Sequence, residues 1–138
     1  MFRTQIVAGL ASACALTSAT LAGAPVASAE DLHHVRYTIT SESPWLADIY
    51  YHDTDPPNWA IYSHDPYVFS PKVEARVGPG QAWTIDVMLA DPAQWAMVVA
   101  TSGLDPVTPN FHCTLEVDGT VVKTAQGPKG ALCSQRPW

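Results

Sequence analysis

The sequence predicts an all-β protein, an immunoglobulin-like β-sandwich of about seven to nine short strands behind an N-terminal signal segment. Three observations carry this reading. Apolar and polar residues alternate with a period of two in run after run of the chain. Twelve prolines and eight glycines punctuate the 138 residues and leave little room for long helices. An Asp118-Gly119 pair lies between alternating apolar runs, the strongest short-range signal for a β-hairpin.

The N-terminal segment, residues 1–29, reads as a secretory signal peptide. Arg3 is the only charged residue before Glu30, and Ile6 to Leu21 form a weakly apolar, alanine-rich stretch. Pro25 then breaks the run, and Ala27-Ser28-Ala29 supplies a small-residue cleavage site. The alternative is an uncleaved anchor, since the run is long enough to span a bilayer. Cys14 is not read as a lipidation site, because Ala11-Ser12-Ala13 before it lack a leucine and an apolar run continues after it. Removing 29 of the 138 residues leaves 109, residues 30–138, and losing Arg3 takes the net charge from −6 to −7. All five tryptophans and all five tyrosines stay with that exported domain.

Several strands follow from alternation. Val35, Tyr37 and Ile39 alternate with Arg36, Thr38 and Thr40. Ala47, Ile49 and Tyr51 form a second run, and Trp59 to Tyr62 a shorter one. Val73, Ala75 and Val77 alternate with charged neighbours, and beyond Gly78-Pro79-Gly80 so do Trp83, Ile85, Val87 and Leu89 with Thr84, Asp86 and Met88. Trp95 to Thr101, after the Asp91-Pro92 turn, is apolar on both faces and is expected to be a central strand. Prolines between 53 and 58, 63 and 71, and 102 and 110 keep those stretches out of any ladder. If the Asp118-Gly119 turn is two residues long, Val117 faces Thr120, Leu115 faces Val122 and Cys113 faces Thr124. Phe111, Cys113, Leu115, Val117 and Val122 then share a buried face.

Cys113 and Cys133 are the only thiols after residue 29, and an even count in an exported domain reads as a disulfide. The neighbouring His112 would point to the other face of the same strand.

Segments at both ends of the domain resemble a known family. Val35-Arg36-Tyr37-Thr38-Ile39-Thr40 and Ala47-Asp48-Ile49-Tyr50-Tyr51 are similar to the first strands of the small mycobacterial membrane proteins of the MmpS family. Cys113 to Gly119, followed by Gly130-Ala131-Leu132-Cys133, resembles that family's cysteine-bracketed last hairpin. Members carry an N-terminal membrane helix and an exported β-sandwich, and they act as accessory partners of lipid and siderophore exporters. The resemblance therefore implies a cell-envelope location and an envelope protein, membrane transporter or lipid-like ligand as partner. The chain departs from the family at its start, which reads as cleavable.

Chemistry-bearing motifs are sparse. There is no G-x-S-x-G, no H-E-x-x-H and no glycine-rich phosphate loop. The length excludes a multidomain enzyme, since domains run to about 100–200 residues. The acidic balance argues against nucleic acid and against anionic membrane surfaces. One constellation could hold a metal: His52-Asp53 and His64-Asp65, if their segments converge. The competing reading makes the aspartates turn-formers and leaves the histidines on exposed edges. A second candidate is aromatic. Trp45, Tyr50, Trp59, Tyr62 and Tyr67 crowd one stretch with Tyr51, more than a small core face holds, so some are expected at a contact surface. The competing reading buries most of them in the sandwich. The expected function is a non-enzymatic exported binding or accessory protein of the cell envelope, without a cofactor. The alternative is an exported metal-binding protein.

Overall fold

A computed structural model describes residues 31–138; the expected signal segment, residues 1–29, lies outside the described residues. Two four-stranded antiparallel sheets face each other. The first has the order β4-β1-β6-β7, built from β1 (His33–Ser41), β4 (Trp83–Leu89), β6 (Phe111–Val117) and β7 (Thr120–Gly127). The second has the order β3-β2-β5-β8, built from β2 (Trp45–Tyr51), β3 (Lys72–Val77), β5 (Met97–Thr101) and β8 (Gly130–Ser134). The β-sandwich expected from alternation is the fold observed.

Each sheet turns one set of alternate residues inward. Val35, Tyr37 and Ile39 of β1 meet Ala47 and Ile49 of β2, Val98 and Ala100 of β5, and Phe111, Cys113 and Leu115 of β6. Burying one such large apolar side chain contributes about 1.5–3 kcal/mol, so the face of β1 alone outweighs any surface ion pair. Trp45 and Tyr51 also lie on the inner side of β2 and pack against this core. The Tyr51 ring rests 5.5 Å from Trp83 and 6.2 Å from Tyr37.

The hairpin between β6 and β7 turns on Asp118 (φ 51°) and Gly119 (φ 82°), the double left-handed geometry that an Asp-Gly pair tolerates. Its register differs from the expected one beyond the first pair. Val117 faces Thr120 as expected, but Leu115 faces Lys123 and Cys113 faces Ala125. A β-bulge causes the shift, leaving Val122 as the extra residue between the Val121 and Lys123 pairings. Val122 still packs against the core, so the bulge keeps the apolar face intact while moving the ladder by one position. His112 points outward and lies 3.3 Å from Glu42.

Two expected strands are corrected. Trp59 to Tyr62 is not extended: Trp59–His64 forms a short helix, α1. Asn58 caps it, its side-chain oxygen accepting from the Ile61 amide at 2.9 Å. The strand expected from Trp95 begins only at Met97, because Pro92–Trp95 form a one-turn helix, α2. There Asp91 accepts from the Gln94 amide, and Pro92 sits where no amide donor is needed. From Met97 on, β5 is central as expected, paired with β2 and β8. Among the described residues no helix is long and apolar enough to cross a membrane.

Cys113 of β6 and Cys133 of β8 are bonded, tying the first sheet to the second across the core. Their sequence separation of 20 residues corresponds to about 3 kcal/mol of stabilisation through the unfolded chain. Reduction, or Cys113→Ser with Cys133→Ser, is therefore expected to lower the unfolding free energy in urea by about that amount. An unchanged urea midpoint on reduction would contradict the stapling role.

Candidate functional site

The chain between β2 and β3 leaves the sheets, runs through α1 and a 3-10 turn (Pro66–Phe69), and lies against the outer face of the second sheet. Alternation defines that face. Val98, Ala100, Ala131 and Cys133 are buried inward, so Met97, Val99, Leu132 and Ser134 point out, with Tyr50 in line. Tyr62 and Tyr67 from the excursion close over Tyr50, Met97 and Val99 to form a groove of about 370 Å³, with Pro66 and Ser70 at its rim. Its walls are mostly apolar and aromatic, the lining usual for small-molecule sites.

His52, at the end of β2, anchors the excursion. It is fully buried. Its Nδ1 lies 2.6 Å from the Trp95 carbonyl oxygen, which makes Nδ1 the protonated nitrogen and leaves Nε2 as an acceptor. Nε2 lies 3.2 Å from the Tyr62 hydroxyl and 3.1 Å from Ser70 Oγ. Ser70 Oγ also donates to the Pro66 carbonyl at 2.8 Å, so Tyr62 is the natural donor to Nε2. The backbone of His52 is held as firmly: its amide donates to Met97 O and its carbonyl accepts from the Tyr37 hydroxyl at 2.7 Å. Tyr37 Oη in turn accepts from the Met97 amide, and burial pushes the Tyr37 phenol well above its ordinary value.

Beside the groove stands an aromatic wall. Tyr62 has its ring 5.3 Å from Trp95 and 5.4 Å from both Trp59 and Trp138. Trp59 stacks on Trp95 at 6.4 Å. The Arg136 guanidinium sits over Trp59 at 4.0 Å and near Trp138 at 5.1 Å, within cation–π range of both. The excursion leaves large apolar side chains exposed: Tyr67 is 77% exposed, Val68 70%, Ile61 47% and Trp59 45%.

Of the expected aromatic surface, Tyr50, Tyr62 and Tyr67 line one groove and Trp59 joins the adjoining wall, whereas Trp45 belongs to the core. The expected metal ligands are not gathered. His52 spends both ring nitrogens on protein partners, Asp53 accepts from Thr54, and His64 and Asp65 are exposed. No group of three or more metal-ligating residues occurs among the described residues. Asp65 stands at the start of the 3-10 turn, and Asp55 accepts from the Ala90 and Asp91 amides at 2.8 Å, tying the segment after β2 to the end of β4. Sequence reasoning missed Trp95, Met97, Val99, Arg136 and Trp138, as well as the Ser70–His52 contact. The cation and aromatic ring of Arg136 and Trp138, two residues apart, were the only local signal.

The two-sheet frame, its inter-sheet disulfide and an apolar groove on an outer face place the molecule among small disulfide-stapled β-sandwich domains. Residues 37–133 match the family described as the Rv2576c beta-sandwich domain, and the chain belongs to that family. It is 41% identical over 106 residues to the uncharacterized protein Rv2576c of Mycobacterium tuberculosis (strain ATCC 25618 / H37Rv), covering 77% of this chain and 68% of that one. The same identity and coverage relate it to the uncharacterized protein Mb2606c of Mycobacterium bovis.

Burial holds the His52 imidazole below its ordinary value of 6.5. The folded state then binds fewer protons than the unfolded state once the pH drops below 6.5. This contribution to stability is full above 6.5 and declines as the pH falls toward the lower folded value. The thermal midpoint should therefore drop between about pH 7.5 and about pH 5, and His52→Asn should flatten that drop. His33 works in the opposite sense. Its hydrogen bond to Asp118 raises it, so its contribution is present below 6.5 and lost as the pH rises through the raised value. His33→Ala removes that opposing slope and should leave the His52 effect steeper. A wild-type acid slope that survives His52→Asn unchanged would contradict the clamp.

Proposed function

We propose that this chain is a non-enzymatic, exported binding protein of the cell envelope whose outer-face groove takes the apolar part of a lipid-like molecule. The observation that carries the reading is the groove itself: about 370 Å³, walled by Tyr50, Tyr62, Tyr67, Met97 and Val99, on an excursion that also exposes Ile61 and Val68. A volume of this size lies in the range of small-molecule sites, roughly 300–1,000 Å³. The large apolar side chains that the excursion exposes would cost little to bring against another apolar surface.

Catalysis is the weaker use of the same residues. Ser70 and His52 have the spacing of a nucleophile and base, but the Ser70 proton is committed to the Pro66 carbonyl and the imidazole is sealed from solvent. The pair serves to hold the excursion down. Export is supported by the signal-like start of the sequence and by a disulfide, which persists in oxidising compartments. The MmpS-like segments at both ends of the domain support an accessory role beside an envelope transporter.

The neutral apolar dye N-phenyl-naphthylamine tests the groove directly. Saturable fluorescence enhancement at one site per chain is expected with the wild type. Val99→Asp places a carboxylate on the groove floor without touching the core and should weaken binding at least about tenfold, equivalent to about 1.4 kcal/mol. Absence of saturable uptake by the folded wild type, or full binding by Val99→Asp, would overturn the reading.

A further inference from the structure

A second recess adjoins the groove along the same sheet face. It has a volume of about 370 Å³ and is lined by Lys123, Leu132, Ser134, Gln135, Arg136 and Trp138, with Pro137. The ladder shows that the two are neighbours. Tyr50 pairs with Val99, Val99 pairs with Leu132, and Met97 pairs with Ser134, all on the outer side. Tyr50 to Leu132 therefore spans two strand spacings, roughly 10 Å. Tyr62, which lines the groove, and Trp138, which lines the recess, have ring centres 5.4 Å apart, so one aromatic wall serves both openings.

Charge separates the two ends. The groove is lined by no charged side chain, whereas the recess is lined by two cationic side chains and no acidic one. That is unusual in a chain with 13 acidic and 7 basic residues. Two of the other cations are matched: Arg36 lies 2.7 Å from Asp86 and Lys72 3.3 Å from Asp48. Among the described residues neither Lys123 nor Arg136 has a carboxylate within 4.0 Å. Arg136 Nη1 is buried and has no hydrogen-bond partner there. A buried guanidinium donor left unpaired is destabilising, and an anion beside the same guanidinium would offset that cost.

We propose that the two openings form one amphiphile site, with an alkyl or aryl chain in the tyrosine groove and a single anionic head, carboxylate or phosphate ester, on Lys123 and Arg136. This rests on the groove reading given above and names its ligand class. The net negative charge of the chain opposes docking on an anionic membrane, but a lone head group is governed by charges within a Debye length of about 8 Å. Within that reach the recess presents ammonium, guanidinium and the Gln135 amide, while the Ser134 hydroxyl donates to the Arg136 carbonyl. Arg136 is held over Trp59 and Trp138, so little side-chain freedom is lost when it binds.

Calorimetric titration with twelve-carbon probes below their micelle concentrations tests the proposal: laurate and dodecyl phosphate as anions, dodecyltrimethylammonium as the cation of matched length. The anions are expected to bind the wild type at least about tenfold more tightly than the cation. Lys123→Gln, at an exposed position that leaves the core untouched, should remove most of that preference, and Arg136→Met the rest. Laurate and dodecyl phosphate differ only in head, so the tighter of the two identifies carboxylate or phosphate as the preferred anion. Inorganic phosphate alone should not displace either. Equal affinity for anion and cation, or a preference that survives Lys123→Gln with Arg136→Met, would overturn the head-group site while leaving the groove standing. Displacement by inorganic phosphate alone would overturn the amphiphile. No binding of any twelve-carbon probe would overturn groove and head-group site together.

Discussion

The site depends on one buried imidazole. His52 follows β2 and bonds to β5 just before the chain leaves for its excursion, and every polar atom it has is used. Its amide and carbonyl join Met97 and Tyr37, its Nδ1 binds the Trp95 carbonyl, and its Nε2 meets Tyr62 and Ser70. These partners belong to β1, β5, α2, α1 and the segment leading into β3. A single net hydrogen bond is worth about 1 kcal/mol, but losing one member here strands several buried groups, each at about 1–3 kcal/mol. The aromatic wall and the groove therefore share one fastening.

The sandwich supplies the rest by geometry. Strand alternation that fills the core with Ile49, Val98 and Cys133 necessarily aims Tyr50, Val99 and Leu132 the other way. An apolar strip on the outside of a sheet invites association, and the excursion covers part of it with Tyr62 and Tyr67 while leaving a groove between. The disulfide acts from the opposite side of the same strand, fixing β8 against β6 so that Leu132 and Ser134 keep their places. Core, staple and groove are three consequences of one alternating pattern.

Much of the frame was legible because its signals are local. The alternation in β1, β3 and β4, the Asp118-Gly119 turn and the Cys113–Cys133 pairing each follow from residues close in sequence or few in number. Trp59 to Tyr62 misled because four residues of mixed character fit either period, and the deciding feature is a single cap from Asn58. Trp95 joined the wrong element because one helical turn after Asp91-Pro92 is too short to leave a periodic trace. The bulge at Val122 was hidden for another reason: both registers keep an apolar residue facing the core. The site was half legible. Crowded aromatics pointed to Tyr50, Trp59, Tyr62 and Tyr67, but the wall closes only when Trp95, Arg136 and Trp138 arrive from distant parts of the chain. His52 and His64 looked alike in sequence, each followed by aspartate, and only burial separates a clamp from a surface residue.

Nitrogen-15 NMR of the His52 imidazole reads the clamp without perturbing it. At neutral pH the account predicts a neutral ring with its proton on Nδ1, bonded to the Trp95 carbonyl, and Nε2 as an unprotonated acceptor. The ring should hold that form as the pH falls through 6.5, since burial keeps its protonation below that value. A ring that exchanges between tautomers, carries its proton on Nε2, or titrates at 6.5 like an exposed histidine would contradict the account.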